Sequence, residues 1–274
     1  MVCGGEPLRL VHLADIHFGA ADPRVLDAAV RSIEQVAPHA LVIAGDLTQS
    51  GKHREFEAAR RWLQDLGLPC ACTPGNHDTP MFQLHHRVLN PFGRYEKYLS
   101  DFAFPLRMGD IRIDGLNTAR GWQARRNWAE GSVDLEDLDA VLEQESPEGI
   151  RLLSCHHPFI PPTDTPLQTA TRRGHRASRK LGRSGTKVLL TGHVHSPQAE
   201  IIRVPEGSYV AVTSGTLSMR LRNVRPSFNV LDFDGDVMSV MALSYDGNGF
   251  TQKTRSVWNL SRMEQLRPPG VIST

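Results

Sequence analysis

Residues 8–17 read Leu-Arg-Leu-Val-His-Leu-Ala-Asp-Ile-His, and residues 40–46 read Ala-Leu-Val-Ile-Ala-Gly-Asp. Each is a short apolar run that stops at an aspartate. Between them Asp22 and Pro23 have the residue types of a helix N-cap and first helical position. Leu26, Ala29, Val30, Ile33 and Ala37 then recur at helical spacing, so the stretch reads as a β-α-β unit. A second helix follows from Phe56, Ala59, Leu63 and Leu66, closed by Gly67. A third short strand runs through Cys72 to Pro74 and Gly75. Polar residues keep arriving where strands end, which is where sites form in α/β sheets.

Outward from this unit the pattern loosens. Thr79 to Phe104 mixes Pro, Gly, aromatic and basic residues without a clean period, and is read as an irregular insertion with short helical pieces. Ile111 to Leu116 and Ile150 to Ser154 read as strands, with Leu135, Leu138 and Leu142 marking a helix between them. Pro158 to Arg183 reads as a long loop entering a short helix, and Lys187 to Thr191 as a strand that stops at Gly192 and His193. Beyond it Ile201–Val204, Tyr209–Val212, Phe228–Phe233, Val237–Tyr245 and Thr251–Trp258 are short strands, mainly antiparallel, with Asp234-Gly235 as a hairpin turn. No repeat, low-complexity tract or linker interrupts the chain, so residues 1–274 are expected to form one domain.

Composition narrows the function classes. A chain of 274 residues with 22% charged residues can bury a full core without staples. Its formal net charge of +1 supplies no global field toward nucleic acid or an anionic membrane, so any attraction to phosphate must be local. No run approaches the roughly 18 apolar residues of a membrane span. The first ten residues lack the basic start and apolar stretch of a signal peptide, so a soluble, cytoplasmic protein is the default expectation. Cys3, Cys70, Cys72 and Cys155 make no metal-ligand spacing; Cys70 and Cys72 are expected to share one face of a strand as small core residues.

Five segments carry chemistry: Asp15-Ile16-His17, Gly45-Asp46-Leu47-Thr48-Gln49-Ser50-Gly51, Gly75-Asn76-His77-Asp78, His156-His157-Pro158 and Gly192-His193-Val194-His195. Carboxylate, amide oxygen and imidazole are all cation donors, and strand ends let distant segments converge on one small volume. Singly, each has a bland reading. Asp-x-His serves as a polar strand end, Gly45 to Gly51 as a turn, Asp78 as a loop cap, and the histidines as satisfied loop residues. Their conjunction in this order is what argues for a metal site.

The ordered set resembles the calcineurin-like metallophosphoesterase superfamily, whose motifs read D-x-H, G-D-x4-G, G-N-H-[DE], an H-x-P-type histidine and G-H-x-H. The resemblance spans residues 8 to about 198, with every motif intact. The layout is most similar to bacterial class III cyclic nucleotide phosphodiesterases and related glycerophosphodiesterases. The resemblance implies an α/β (α+β) fold, a four-layer α/β/β/α sandwich with two packed mixed sheets. It also implies one cation on Asp15, His17, Asp46 and His195, and a second on Asp46, Asn76, His156 and His193. Asp46 bridges them, and His156 is taken over His157 because it fits the His-x-Pro pattern.

Two such ions, divalent or mixed-valence, acidify a bridging water and clamp the phosphate, and hydroxide then attacks phosphorus in line. His77 is expected to stabilise the phosphoryl group or protonate the leaving oxygen, with Asp78 orienting its ring as an imidazolium. A mixed imidazole and oxygen set favours Mn, Fe, Zn or Co over Mg or Ca.

Candidates for substrate contact are Asn117, Arg120, Arg125 and Arg126, with His85, Trp122 and Trp128 beside them. Arg can bind phosphate bidentately and Trp can stack on a base; a solvated basic face with core-packed tryptophans is the plainer account. The basic run Arg172 to Lys187 likewise reads either as a polyanion or lipid track, or as a surface helix. The expected activity is hydrolysis of a small phosphodiester, a cyclic nucleotide or glycerophosphodiester, with no obligate nucleic-acid partner and a possible homodimer through an exposed strand edge. The competing readings are a nuclease or a lipid-linked phosphate or pyrophosphate hydrolase of the same superfamily, and a noncatalytic scaffold. The intact ligand set argues against the last.

Overall fold

Successive side chains of a strand point to opposite faces, and the first strand shows what that does here. In β1 (Leu8–Leu13) Leu10 packs into a core with Val42, Ile113, Leu152, Leu190, Val212 and Leu231. Its neighbours Val11 and Leu13 instead pack with Ile33, Phe56, Ala59 and Leu63 from two helices. Leu10 therefore looks toward a second sheet and Val11 toward a helical layer. The computed structural model describes residues 7–123, 127–144, 149–163, 165, 167–168, 170–220 and 224–266.

The helices of that layer are α1 (Pro23–Val36) and α2 (His53–Leu66). The Asp22 carboxylate accepts from Arg24 N at 2.9 Å to cap α1, with Pro23 in the first turn where no amide partner is needed. Gly67 ends α2 with φ of +63°. β1 pairs in parallel with β2 (Ala40–Ala44), which pairs in parallel with β3 (Cys70–Thr73), so the β-α-β reading holds. Cys70 and Cys72 share a face as expected, their sulfurs 3.9 Å apart.

The insertion holds two short helices, α3 (Leu84–Leu89) and α4 (Gly93–Leu99), and runs into β4 (Leu106–Met108), a strand that the sequence pattern did not show. After it come β5 (Ile111–Gly115), α5 (Leu135–Leu142), β6 (Ile150–Ser154), α6 (Gly174–Arg183), β7 (Val188–Thr191), β8 (Gln198–Val204) and β9 (Gly207–Thr213). The last strands are β10 (Ser227–Asp234), β11 (Val237–Tyr245), β12 (Phe250–Asn259) and β13 (Glu264–Leu266), with Gly235 at φ +53° in the expected turn. One sheet runs β13-β12-β11-β10-β1-β2-β3 and the other β4-β5-β6-β7-β9-β8, each mixing parallel and antiparallel pairs. Helices α5 and α6 cover the second sheet through Leu138, Ala177 and Leu181. The layering is thus α/β/β/α, as the resemblance implied.

Not all of the buried interior is apolar. Arg112, Asp114 and Arg151 are almost fully buried on β5 and β6. Asp114 accepts from Arg112 Nε and Arg151 Nε, both at 2.8 Å, and Arg151 Nη1 donates to the Leu142 carbonyl at 2.8 Å near the end of α5. The carboxylate balances two guanidinium groups, and one of these ties the helix end to the sheet. Removing the shared anion breaks two buried ion pairs at once, and breaking a buried pair costs about 3–5 kcal/mol. Asp114→Ala is therefore expected to lower unfolding free energy by about that amount, measured as a shift of the urea midpoint at unchanged slope.

Candidate metal centre

All five motifs meet where β1, β2, β3, β6 and β7 end. Asp15 N donates to the Gly45 carbonyl and His17 N to the Asp46 carbonyl, both at 3.0 Å, which locks the first motif to the second. Gly192 N donates to the His156 carbonyl at 3.0 Å, locking the fifth to the fourth. Bonds to the carboxylates join the pairs: His193 N donates to Asp15 Oδ2 and His77 N to Asp46 Oδ1, each at 2.8 Å. Close approach dictates the glycines. A Cβ on Gly75 would lie 2.1 Å from Asp46 Oδ1, and one on Gly45 would lie 2.6 Å from His156 Nδ1.

Three imidazoles show a common arrangement. Nδ1 faces a backbone carbonyl in each: Thr48 O for His17 at 3.3 Å, Ala44 O for His156 at 2.8 Å and Arg220 O for His195 at 2.8 Å. A carbonyl only accepts, so Nδ1 carries the proton and Nε2 presents its lone pair. These lone pairs point at carboxylates. His195 Nε2 lies 3.1 Å from Asp15 Oδ1 and His156 Nε2 3.3 Å from Asp46 Oδ2, while His17 Nε2 lies 3.7 Å from Asp15 Oδ1 and 3.9 Å from Asp46 Oδ2. His17 Nε2, His156 Nε2 and Asn76 Oδ1 are buried with no hydrogen-bond partner. Buried acceptors facing acceptors are costly unless a cation or proton lies between them, so the donor set fits metal ions.

Electrostatics point the same way. Burial works to raise Asp15 and Asp46, yet the neighbouring imidazoles, His195 for Asp15 and His156 for Asp46, hold both carboxyls below the usual range. Burial pulls His156 down, but Asp46 outweighs it and lifts the ring to about 9. Burial takes His17 to about 3 against the pull of Asp46 and Asp15. Asp15 with His17 and His195 forms one cluster able to hold an ion, Asp15 with Asp46 and His156 a second, and His156 with His157 and His193 a third.

The backbone is strained at the same places. Asp15 (φ +53°), His17 (+53°), Asp46 (+54°), His193 (+70°) and His195 (+58°) all adopt the left-handed region, among eight such non-glycine residues in the described chain. Conformations of this kind cost of order 1–3 kcal/mol each and persist where surrounding contacts over-determine them. Here those contacts are the cross-motif hydrogen bonds.

His157 lies among these rings but is already engaged. Thr118 Oγ1 donates to its Nδ1 at 3.0 Å and its Nε2 donates to the Ala129 carbonyl at 3.0 Å. His156, with a free Nε2, is the better donor of the two.

Asp78 is not where the sequence reading put it. Its oxygens accept from Thr48 N (2.8 Å), Thr48 Oγ1 (2.9 Å), Gly75 N (2.9 Å) and Leu47 N (3.3 Å), which knots two motif loops together. His77 Nδ1 donates instead to the Gln49 carbonyl at 2.8 Å. The expected Asp78 contact to the ring is replaced by that backbone bond, because the carboxylate is consumed by amides nearer to it. Burial and then Asp46 push Asp78 up to about 7.

Of the substrate candidates, Arg125 and Arg126 lie outside the described residues. Arg120 faces Asp134 at 3.7 Å. Asn117 Oδ1 accepts from Ala119 N at 2.9 Å, and the residue lines a 360 Å³ cavity with Pro74, Tyr95 and Leu116 beside the third motif. Trp128 lies under the Arg87 guanidinium, the His85 ring lies tilted against that of His86 with centroids 4.2 Å apart, and Trp122 is exposed. In the basic run, Arg179 pairs with Glu206 and Lys180 with Asp139, as befits a surface helix. Sequence reasoning passed over Ser214 to Arg220. Thr216 Oγ1 donates to the Asp15 carbonyl at 2.6 Å and Arg220 holds His195; the available signal was a Ser/Thr/Gly-rich stretch directly after a strand.

This fold and site belong to a known class. The calcineurin-like phosphoesterase family model matches residues 8–197, and the chain belongs to that family. It is a metallophosphoesterase, a hydrolase of phosphoric esters. Its relatives include the glycerophosphodiester phosphodiesterase GpdQ of Enterobacter lignolyticus, 27% identical over 208 residues, 68% of this chain and 70% of that protein. A probable cyclic nucleotide phosphodiesterase of Synechococcus sp. is 36% identical over 167 residues, 56% of this chain and 59% of that protein. Among solved structures, a dimetal phosphatase from Danio rerio shares the fold with a TM-score of 0.65 at 13% identity, over 93% of this chain and 100% of that one. Among the described residues no helix is long and apolar enough to cross a membrane.

Gly75 offers a direct check on the packing of this centre. The Cβ of Gly75→Ala must displace the Asp46 carboxylate and its backbone amide, 2.4 Å away. A loss of about 1–3 kcal/mol is expected in denaturant unfolding, as for overpacked interiors.

Proposed function

We propose that the chain is a binuclear metal-dependent phosphodiesterase acting on a small phosphodiester, a cyclic nucleotide or a glycerophosphodiester. The observation that carries this reading is the set of three imidazoles pinned through Nδ1 to backbone carbonyls, with Nε2 aimed at two carboxylates. The names of the bacterial relatives support the diester class. Asp15, His17, Asp46 and His195 would hold one cation, and Asp46, Asn76, His156 and His193 the other, with Asp46 shared. Imidazole beside carboxylate and amide oxygen suits Mn, Fe, Zn or Co.

When bound, two such ions supply Lewis acidity to the phosphoryl oxygens and a water-derived nucleophile at neutral pH. The chain's own groups do the positioning. His77 N holds Asp46 Oδ1, so Oδ2 remains for the histidines. The Gln49 carbonyl fixes the His77 ring through Nδ1, and Asp78 serves it indirectly by knotting the loops that carry Asp46 and His77.

The test is hydrolysis of bis-p-nitrophenyl phosphate beside p-nitrophenyl phosphate, after metal removal and readdition of Mn. Mn-restored diester cleavage is expected, reduced about a hundredfold or more in His77→Ala and abolished in Asn76→Ala. Preference for the monoester would replace the reading with a phosphatase. In metal analysis, His156→Ala is expected to lose more than the ten- to hundredfold in affinity typical of a lost supporting bond, while His157→Gln keeps two ions per chain. Equal losses would undo the ligand assignment.

A further inference from the structure

We propose that Arg220 is a phosphate-binding residue of this site, a role that rests on the phosphodiesterase reading and deepens it. The Arg220 guanidinium is half-buried beside the metal cluster. Nη1 lies 2.7 Å from His77 Nε2 and 3.4 Å from Nδ1, and the His77 ring is 4.9 Å from that of His17. His77 Nδ1 donates to Gln49 O, and the two distances from Nη1 place the guanidinium against the ring on its Nε2 side, off the line of the Nε2 lone pair. The ring therefore holds the guanidinium in place.

Among the described residues no carboxylate pairs with Arg220, and the polar contacts of its side chain are with the His77 ring. Other part-buried arginines find an oxygen acceptor, as Arg60 has Asp101, Arg120 has Asp134 and Arg94 has the Gly51 carbonyl. The positive charge of Arg220 is thus left over for an anion. A planar fork of N–H donors suits the nonbridging oxygens of a phosphate.

The segment is also built to hold that charge still. Thr216 Oγ1 donates to the Asp15 carbonyl and contacts Ser218 Oγ at 2.8 Å. Ser218 N donates to Thr216 Oγ1 at 3.0 Å, and Arg220 N donates to Ser218 Oγ at 3.2 Å. This hydroxyl ladder ties Arg220 to the backbone of Asp15, while the Arg220 carbonyl accepts from His195 Nδ1. One residue thereby orients a metal-ligand candidate through its backbone and presents a cation through its side chain, so substrate charge and metal cluster are placed by the same loop.

Inorganic phosphate is the probe. Mn-loaded wild type, Arg220→Met and Arg220→Lys are titrated with phosphate by calorimetry, with Mn content and bis-p-nitrophenyl phosphate kinetics measured on the same samples. Arg220→Met is expected to weaken phosphate binding roughly ten- to hundredfold, as for a lost charged hydrogen bond, and to lower kcat/KM to a similar extent with Mn content unchanged. Arg220→Lys, which keeps the charge without the fork, is expected to fall between, and carries the test if the Met variant does not fold. Phosphate affinity equal to wild type in either variant overturns the proposal. Loss of Mn in both overturns it too, because the side chain would then be structural. The two readings separate cleanly. Arg220-dependent phosphate binding without diester hydrolysis defeats the phosphodiesterase assignment alone, and diester hydrolysis indifferent to Arg220→Met defeats the Arg220 role alone.

Discussion

Two buried carboxylates, Asp15 and Asp46, face the Nε2 lone pairs of His17, His156 and His195 at 3.1–3.9 Å. Acceptors turned toward acceptors repel one another, and water is kept from them by burial. The rest of the structure holds this arrangement against its own repulsion. Backbone carbonyls fix each ring from behind, amides of neighbouring motifs take the outer carboxylate oxygens, and five candidate ligands are kept in left-handed backbone conformations. That is the cost of a preorganised cation site, and the bonds between motifs distribute it over five segments of chain.

The sandwich makes such distribution possible. Parallel pairing of β1 with β2, of β2 with β3, and of β6 with β7 brings the carboxyl ends of strands from both sheets to one edge. Alternation along each strand then decides what lies below that edge. Leu10, Val42, Leu152 and Leu190 form the apolar layer between the sheets. His12 and Ser154, two residues further along their strands, continue the same faces as buried polar groups beneath the site. The transition from core to chemistry thus takes a single step of the pleat. A rigid base of this kind suits a reaction in which the protein's task is to fix charges in place.

The loops show how positioning can be shared. Asp78 was expected beside the His77 ring and is found knotting the loops at Leu47, Thr48 and Gly75, with Gln49 O holding the ring instead. The carboxylate acts on the site through backbone geometry. Thr118 has a comparable part: its hydroxyl accepts from His157 N and donates to His157 Nδ1, which uses up the ring that local sequence makes a rival of His156.

What the sequence by itself determined is considerable, because the signals are local. Apolar runs ending in aspartate, the Asp22-Pro23 helix start, Gly67 as a helix stop and the Asp234-Gly235 turn depend on neighbours within a few residues, and they mark most strands and the first two helices. The short β4 escaped because a three-residue edge strand has too few positions to show a period. The motif spacings identified the donor types at the site. Only tertiary structure decided which atoms face which. His195 meets Asp15 across 180 positions, His156 is separated from His157 by contacts to Ala44 and Thr118, and Arg220 reaches His77 across 143 positions. Hydrogen-bond direction and burial depend on distances between segments remote in sequence, and these are set only when the two sheets pack.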